Sequence, residues 1–174
     1  FAITYFPFPI YNVAGFDFAV FENGFAQNDS EENYYFMELA KVEVSEDGVN
    51  YIPFVTTSNI DNSSQKLSFE TSNCTYVNNL AGKYPAQYGT PFDLEILSDV
   101  EGLDLEAISH IQITDVVGGI HLNACLLDAN QNPINDPWPT PFPASGFDLE
   151  SLAFLSPNSW PKLSKTEVMI WLLV

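Results

Sequence analysis

Wherever apolar and polar residues recur with a period along this chain, the period is two, the signature of half-buried strands. Residues 15–24, GFDFAVFENG, set Phe16, Phe18 and Val20 in one register and Asp17, Ala19 and Phe21 in the other, closing on Glu22 and Asn23. The opening of this stretch returns as GFDLESL over 146–152 and in part as PFDLEIL over 91–97. Glycine-flanked strands with an acid beside apolar partners predict a sandwich whose edges or loops hold carboxylates.

Taken in order, residues 1–13 are aromatic and β-branched but interrupted by Pro7 and Pro9. Proline cannot donate to a ladder, so an edge strand or two short strands with a bend are expected. Residues 26–33 read as a polar, acid-rich loop. Ala40, Val42 and Val44 alternate with Lys41 and Glu43, and Asp47-Gly48 is a favoured two-residue hairpin turn, so residues 49–54 are expected to return as a strand. A short strand is expected at 66–70, then a long irregular loop over 72–91. A helical turn at 93–97 and a clean strand at 110–116 follow. Gly118-Gly119 ends that strand, and 122–127 is short and apolar. Five prolines in 128–145 exclude helix and central strand and favour an extended loop. A strand is expected at 146–155 and a last one at 168–174, VMIWLLV, unless that run is cut from something longer. Many short strands, one hairpin and almost no helical period predict a single all-β domain over 1–174. Its expected form is an antiparallel β-sandwich of jelly-roll type with two long irregular loops.

Composition narrows the setting. At 174 residues one domain can bury a sizeable core. Against 23 acids there are only 5 Lys plus Arg, a formal charge of -18, which repels nucleic-acid phosphates and anionic lipid. Such a surface suits an extracellular protein and suits divalent cations, which neutralise clustered carboxylates. No stretch reaches the ~20 apolar residues that span a bilayer, so no membrane insertion is expected. The sequence starts at Phe1 without a charged leader, so any signal peptide is expected to have been removed or to lie outside it. Cys74 and Cys125 are compatible with a disulfide or with two free thiols, and Asn28, Asn62 and Asn73 head sequons.

Two groups of residues carry candidate chemistry. Calcium takes 6–8 hard oxygen ligands from carboxylates, amides and carbonyls. Asp17, Glu22 and Asn23 offer such oxygens around one early strand, and Asp148 with Glu150 repeats the theme late in the chain. If the early and late strands pair, the two groups converge. Asp128, Asn130, Asn132 and Asp136 make a second oxygen-rich run, which lacks the glycine and terminal glutamate of an EF-hand. The competing expectation is that these acids cap turns or face solvent. Trp138, Phe142, Tyr84 and Tyr88 lie in the two long loops, where aromatic faces can stack on sugar rings or flat cofactors. The alternative for Trp138 is that it packs back and anchors its own loop. For catalysis there is little: no G-x-S-x-G elbow, no glycine-rich phosphate loop, and only His110 and His121 as bases. No enzymatic activity is expected.

The ordered blocks GFDFAVFENG, FMELAKVEVSEDGVNYIPF, LAGKYPAQYGTPFDL, ITDVVG and NPINDPWPTPFPASGFDLESL resemble a family of bacterial secreted cell surface protein modules, associated with Bacteroidetes and environmental bacteria. The resemblance covers roughly residues 15–152. Residues 121–127 and those from 156 onward depart from its pattern. It implies a fold similar to carbohydrate-binding and discoidin-like jelly rolls, and a place outside the cell or on its surface. The implied ligand is carbohydrate or another surface ligand. Because some members sit near vitamin B12 uptake systems, capture of a small molecule such as a corrinoid is the alternative.

Overall fold

The computed structural model of the chain describes residues 1–23, 32–139 and 146–154. In chain order its strands are β1 (Ala2–Ile10), β2 (Phe18–Glu22), β3 (Tyr34–Tyr35), β4 (Ala40–Ser45), β5 (Ile52–Pro53), β6 (Thr57–Ser58), β7 (Ser72–Asn73), β8 (Val77–Asn78), β9 (Leu80–Ala81), β10 (Thr90–Phe92), β11 (Ile108–Asp115) and β12 (Leu149–Phe154). Two short 3-10 turns lie at Cys74–Tyr76 and Leu94–Leu97. Every strand pairing among the described residues is antiparallel, and the protein is all-β.

The phrase Phe-Asp-apolar, met three times in the sequence, marks the three strands of one sheet. β10, β2 and β12 form it in that order, with β2 in the centre. Phe18 pairs with Phe92 on one side and Phe154 on the other. The Phe18 ring stacks on Phe92 at 5.2 Å and meets Phe54 edge-on at 5.9 Å. The second sheet runs β1-β11-β4-β5, with β9 also on β4. Ala40, Val42 and Val44 of β4 and Ile108, Ile111 and Ile113 of β11 are buried against Phe18, Val20, Phe92 and Leu152 of the first sheet. The two sheets therefore sandwich one core, whose burial is the main favourable term in folding. A second core of Met37, Leu39, Ile60, Cys74, Val77, Leu80, Val116 and Ile134 lies apart from it.

Among the described residues β1 stands at the edge of its sheet, as expected, and its register against β11 slips between Tyr5 and Ile10, where Pro7 and Pro9 sit. Elsewhere the structure departs from the sequence pattern. Residues 49–54 return only as Ile52–Pro53, because Asp47 folds the turn on itself, accepting N–H bonds from Val49 and Asn50 at 2.8 Å each. Residues 66–70 are a turn and not a strand: the Lys66 N–H donates to Asn135, and Phe69 takes a left-handed φ of 67°. The loop expected over 72–91 instead contains β7, β8, β9 and the start of β10, strands too short for a period to register. Residues 168–174, Phe142 and Asn28 lie outside the described residues.

Candidate functional site

Antiparallel pairing brings the last residues of β2 and β11 to the same end of the sandwich as the approaches to β4 and β12. Each of these four termini carries an acid. Glu22 ends β2 opposite Leu149, and the Asn23 N–H donates to the Asp148 carbonyl at 3.0 Å. Asp115 ends β11 opposite Ala40, and Glu38 lies two residues before that partner. Backbone donors then fix the carboxylates. The Phe147 N–H donates to Asp115 Oδ1 at 2.7 Å and the Gly146 N–H to Glu38 Oε1 at 3.0 Å. The Leu39 N–H donates to Asp136 Oδ1 at 3.2 Å, adding a fifth acid from the loop before Trp138. A Cβ on Gly146 would stand 2.9 Å from the Asp115 carboxylate, so the chain passes as close as glycine permits.

Burial raises the Asp136 carboxyl well above its ordinary value; the Leu39 N–H opposes this, and the charges of Asp115, Glu38 and Glu22 add to it. Burial likewise raises Glu38, against the Gly146 N–H and with Asp148 and Asp115 adding to it. Asp115 is exposed as a residue, yet desolvation of its carboxyl is the largest cause of its raised value, with the Phe147 N–H opposing it and Asp148 adding to it. None of the three lysines among the described residues is engaged by a carboxylate in a hydrogen bond: Lys41 donates to Leu127 O, Lys66 to Thr71 O and Lys83 to Val77 O. The donor set is that of a hard-cation site in kind, since it is all carboxylate. In geometry it is not preformed: among the described residues no three His, Cys, Asp or Glu side chains are arranged to hold a metal ion.

Of the residues expected to ligate metal, Glu22, Asp136 and Asp148 fall in this cluster, with Asn23 exposed beside Asp148. Asp17 does not. It precedes β2 while Glu22 ends it, about 16 Å away by strand rise, and its two oxygens accept N–H bonds from Val13 at 2.7 Å and Leu94 at 2.6 Å. Asp128 is engaged separately, accepting from Ser58, Asn130 and Asn132. Glu38 and Asp115 were not visible as candidates. The available signal was an acid at each terminus of the two cleanest strands, and it becomes legible only once β4 and β11 are paired.

Trp138 lies two residues beyond Asp136 and is 39% exposed. Its N–H donates to Lys66 O at 2.8 Å. A Cβ on Gly119 would meet Leu122 at 2.5 Å and the indole at 3.1 Å, so exposed Leu122 and Trp138 flank the same glycine. Leu67, also exposed, follows the residue that anchors the indole backbone. Tyr84 instead packs against the second core, with Lys83 over its ring at 5.2 Å, and Tyr88 is exposed in the turn after left-handed Gln87. Comparison of the chain with protein-family models, with curated proteins and with solved structures finds no match. The site must be read from its own chemistry.

Of the two histidines, His121 is exposed and His110 is packed into the sheet surface. The His110 ring lies 5.0 Å from Tyr5, against Gly48, with Nδ1 2.8 Å from the Ser109 hydroxyl. Cys74 is buried, Cys125 half-buried, and both are free thiols. Among the described residues no helix is long and apolar enough to cross a membrane.

Proposed function

We propose that the chain is a non-catalytic extracellular binding module of a bacterial cell surface, stabilised by calcium, that presents Trp138 to a carbohydrate. The observation that carries this reading is the indole itself. A tryptophan left 39% exposed, with its backbone anchored to Lys66 and Leu122 on the same glycine, offers a flat apolar face on a tethered backbone. Pre-ordering of this kind lowers the cost of association. The charge of -18 favours a ligand that is neutral or cationic. The resemblance to secreted jelly-roll modules supports the same reading.

Calcium enters through the acid cluster. Like charge adds to the raised values of Glu38, Asp115 and Asp136, and no described lysine is hydrogen-bonded to any of these three. Like charges gathered in a poorly solvated place are relieved by protons or by a cation. In the calcium form Glu38, Asp115 and Asp136 would contribute carboxylate oxygens, with Glu22 and Asp148 completing the charge. The cation would draw together side chains that stand apart without it.

Two measurements test the two halves. A thermal melt in EDTA against a calcium titration is expected to rise with concentration, by about 2.7 kcal/mol at a hundredfold excess over Kd. A flat response removes calcium from the reading. A glycan array probed with the parent chain and with Trp138→Ala is expected to show binding that the variant loses. Binding of a corrinoid with no glycan bound would transfer the reading to small-molecule capture.

A further inference from the structure

One carbonyl away from Trp138, through Lys66 O, lies a polar side chain surrounded by more acceptors than it has hydrogens. Gln65 Nε2 sits 3.0 Å from Lys66 O, 3.1 Å from Gly118 O, 3.2 Å from Asn135 Oδ1 and 3.0 Å from Asp136 O. An amide carries two N–H hydrogens, so these are shared, three-centre bonds. Its orientation is dictated from both sides: the Ile120 N–H donates to Oε1 at 2.9 Å, and a flipped amide would aim oxygen at four oxygens. Asn135 completes the hub. It is buried, accepts the Lys66 N–H at 2.9 Å, and donates to Asp61 O and Ser64 O at 2.8 Å each.

The geometry points to Gln65 as the positioning residue of the Trp138 face. Its amide ties three chain segments at one point: 64–66, 118–120 and 135–136. Each bears on the indole. Lys66 O accepts both the Gln65 amide and the Trp138 N–H. Gly119, between Gly118 and Ile120, forms the floor under the indole, and Asp136 stands two residues before it. Removing the amide leaves Gly118 O and Asp136 O without that donor and releases the clamp on both sides of the ring, while the sandwich core of β2, β4 and β11 is untouched. This role rests on Trp138 being the ligand face, but its test does not require a ligand.

Trp138 is made the only fluorophore of its kind by Trp160→Phe and Trp171→Phe, and acrylamide quenching is compared for Gln65, Gln65→Ala and Gln65→Glu. From 39% exposure, release of the indole can raise the quenching constant at most about 2.5-fold. A rise toward that limit is expected in both variants, and more fully in Gln65→Glu, which sets a carboxylate against four oxygens. The far-UV spectrum is expected to stay that of the parent. Quenching that stays at the parent value in either folded variant overturns the assignment, as does a lowered melting temperature with unchanged quenching. Should neither variant fold, hydrogen exchange on the unaltered protein decides. The Lys66, Ile120 and Trp138 amides are expected to open as one unit with equal protection; a Trp138 amide exchanging at least tenfold faster than the other two overturns it. Failure of carbohydrate binding, read on the array, leaves these outcomes unaffected.

Discussion

Gly118→Ala tests whether the acid cluster and the Trp138 face are one construction. A Cβ at residue 118 would stand 2.4 Å from both Asp136 Cβ and the Asp136 carbonyl oxygen, against an ordinary contact of 3.4–4 Å. Gly118 is not among the glycines with positive φ, so the whole penalty is collision. Because the obstructing atoms include backbone, no rotamer change relieves it, and residue 136 must retreat by about 1 Å. The Leu39 N–H bond to Asp136, already 3.2 Å long, does not survive such a shift, and the Gln65 contact to Asp136 O at 3.0 Å is lost with it. Overpacking costs about 1–3 kcal/mol, and a buried N–H left without its acceptor about 1–3 kcal/mol. One movement causes both losses, so they do not add fully, and about 2–5 kcal/mol is expected. For a chain of this size that lowers Tm by about 5–15 °C. Gly102→Ala is the control: its φ is +86° but nothing lies within 4 Å, leaving only the left-handed penalty of about 1–2 kcal/mol. Urea denaturation of both, with Trp138 quenching measured in the same samples, decides the matter. If Gly118→Ala costs no more than Gly102→Ala, or leaves the indole as shielded as before, Asp136 is not the joint between the two features.

Two further outcomes follow from the core and from the acids. Phe92→Ala removes a ring that is 1% exposed and stacked on Phe18, and is expected to cost about 3–5 kcal/mol in urea denaturation; a loss under half of that would mean the first sheet is not packed on the second. In EDTA, Asp17, Glu38 and Asp136, raised chiefly by burial, hold protons that the unfolded chain has already released, so their contribution is present at and below the ordinary carboxylate range and fades as pH rises through the raised values. Asp128 is lowered despite its burial by the N–H donors of Ser58, Asn132 and Asn130, and contributes above the ordinary value, fading as pH falls through the lowered one. Urea midpoints taken across about pH 3–8 should therefore peak on the mildly acidic side of neutrality, and a maximum at the alkaline end would contradict the burial of these carboxyls.

The architecture was legible where residues repeat or alternate over five or more positions. The Phe-Asp-apolar phrase marks β2 and β12, and the alternation of Val42, Val44, Ile111 and Ile113 marks the two strands at the middle of the other sheet; at β10 the phrase closes a three-residue strand where a loop and a helical turn were expected. Two-residue strands such as β7, β8 and β9 left no trace, since a period of two needs more than two residues to be seen. The turn at 66–70 was misread because Leu67 and Phe69 alternate with polar neighbours as a strand would, while the Asn135 side chain that takes the Lys66 N–H lies far along the sequence. Three of the five clustered acids were legible, Asp136 from the oxygen-rich run over 128–136 and two for a related reason. Glu22 and Asp148 sit beside repeated phrases, whereas Glu38 and Asp115 become neighbours only through the register of β4 on β11.

The distribution of cations explains why the cluster and the loop meet. With so few lysines, the fold uses those described as clips on carbonyls: Lys41 on the 127 region, Lys66 on Thr71, Lys83 on Val77. A cation fixed on a carbonyl orders a loop: even Lys41, beside Ala40 at the cluster's own end of β4, donates to Leu127 O and not to an acid. Three of the clustered acids accept backbone N–H bonds that tie the approach to β4 and the end of β11 to residues on either side of Trp138: Leu39 on Asp136, Gly146 on Glu38, Phe147 on Asp115. A bond from a neutral N–H stabilises a carboxylate without removing its repulsion from its neighbours. The same three bonds that bracket the aromatic loop thus depend on how that repulsion is relieved. On the proposed reading, calcium at the strand ends would act on the ligand face through Asp136, which is bonded both to the β4 approach and to the Gln65 hub.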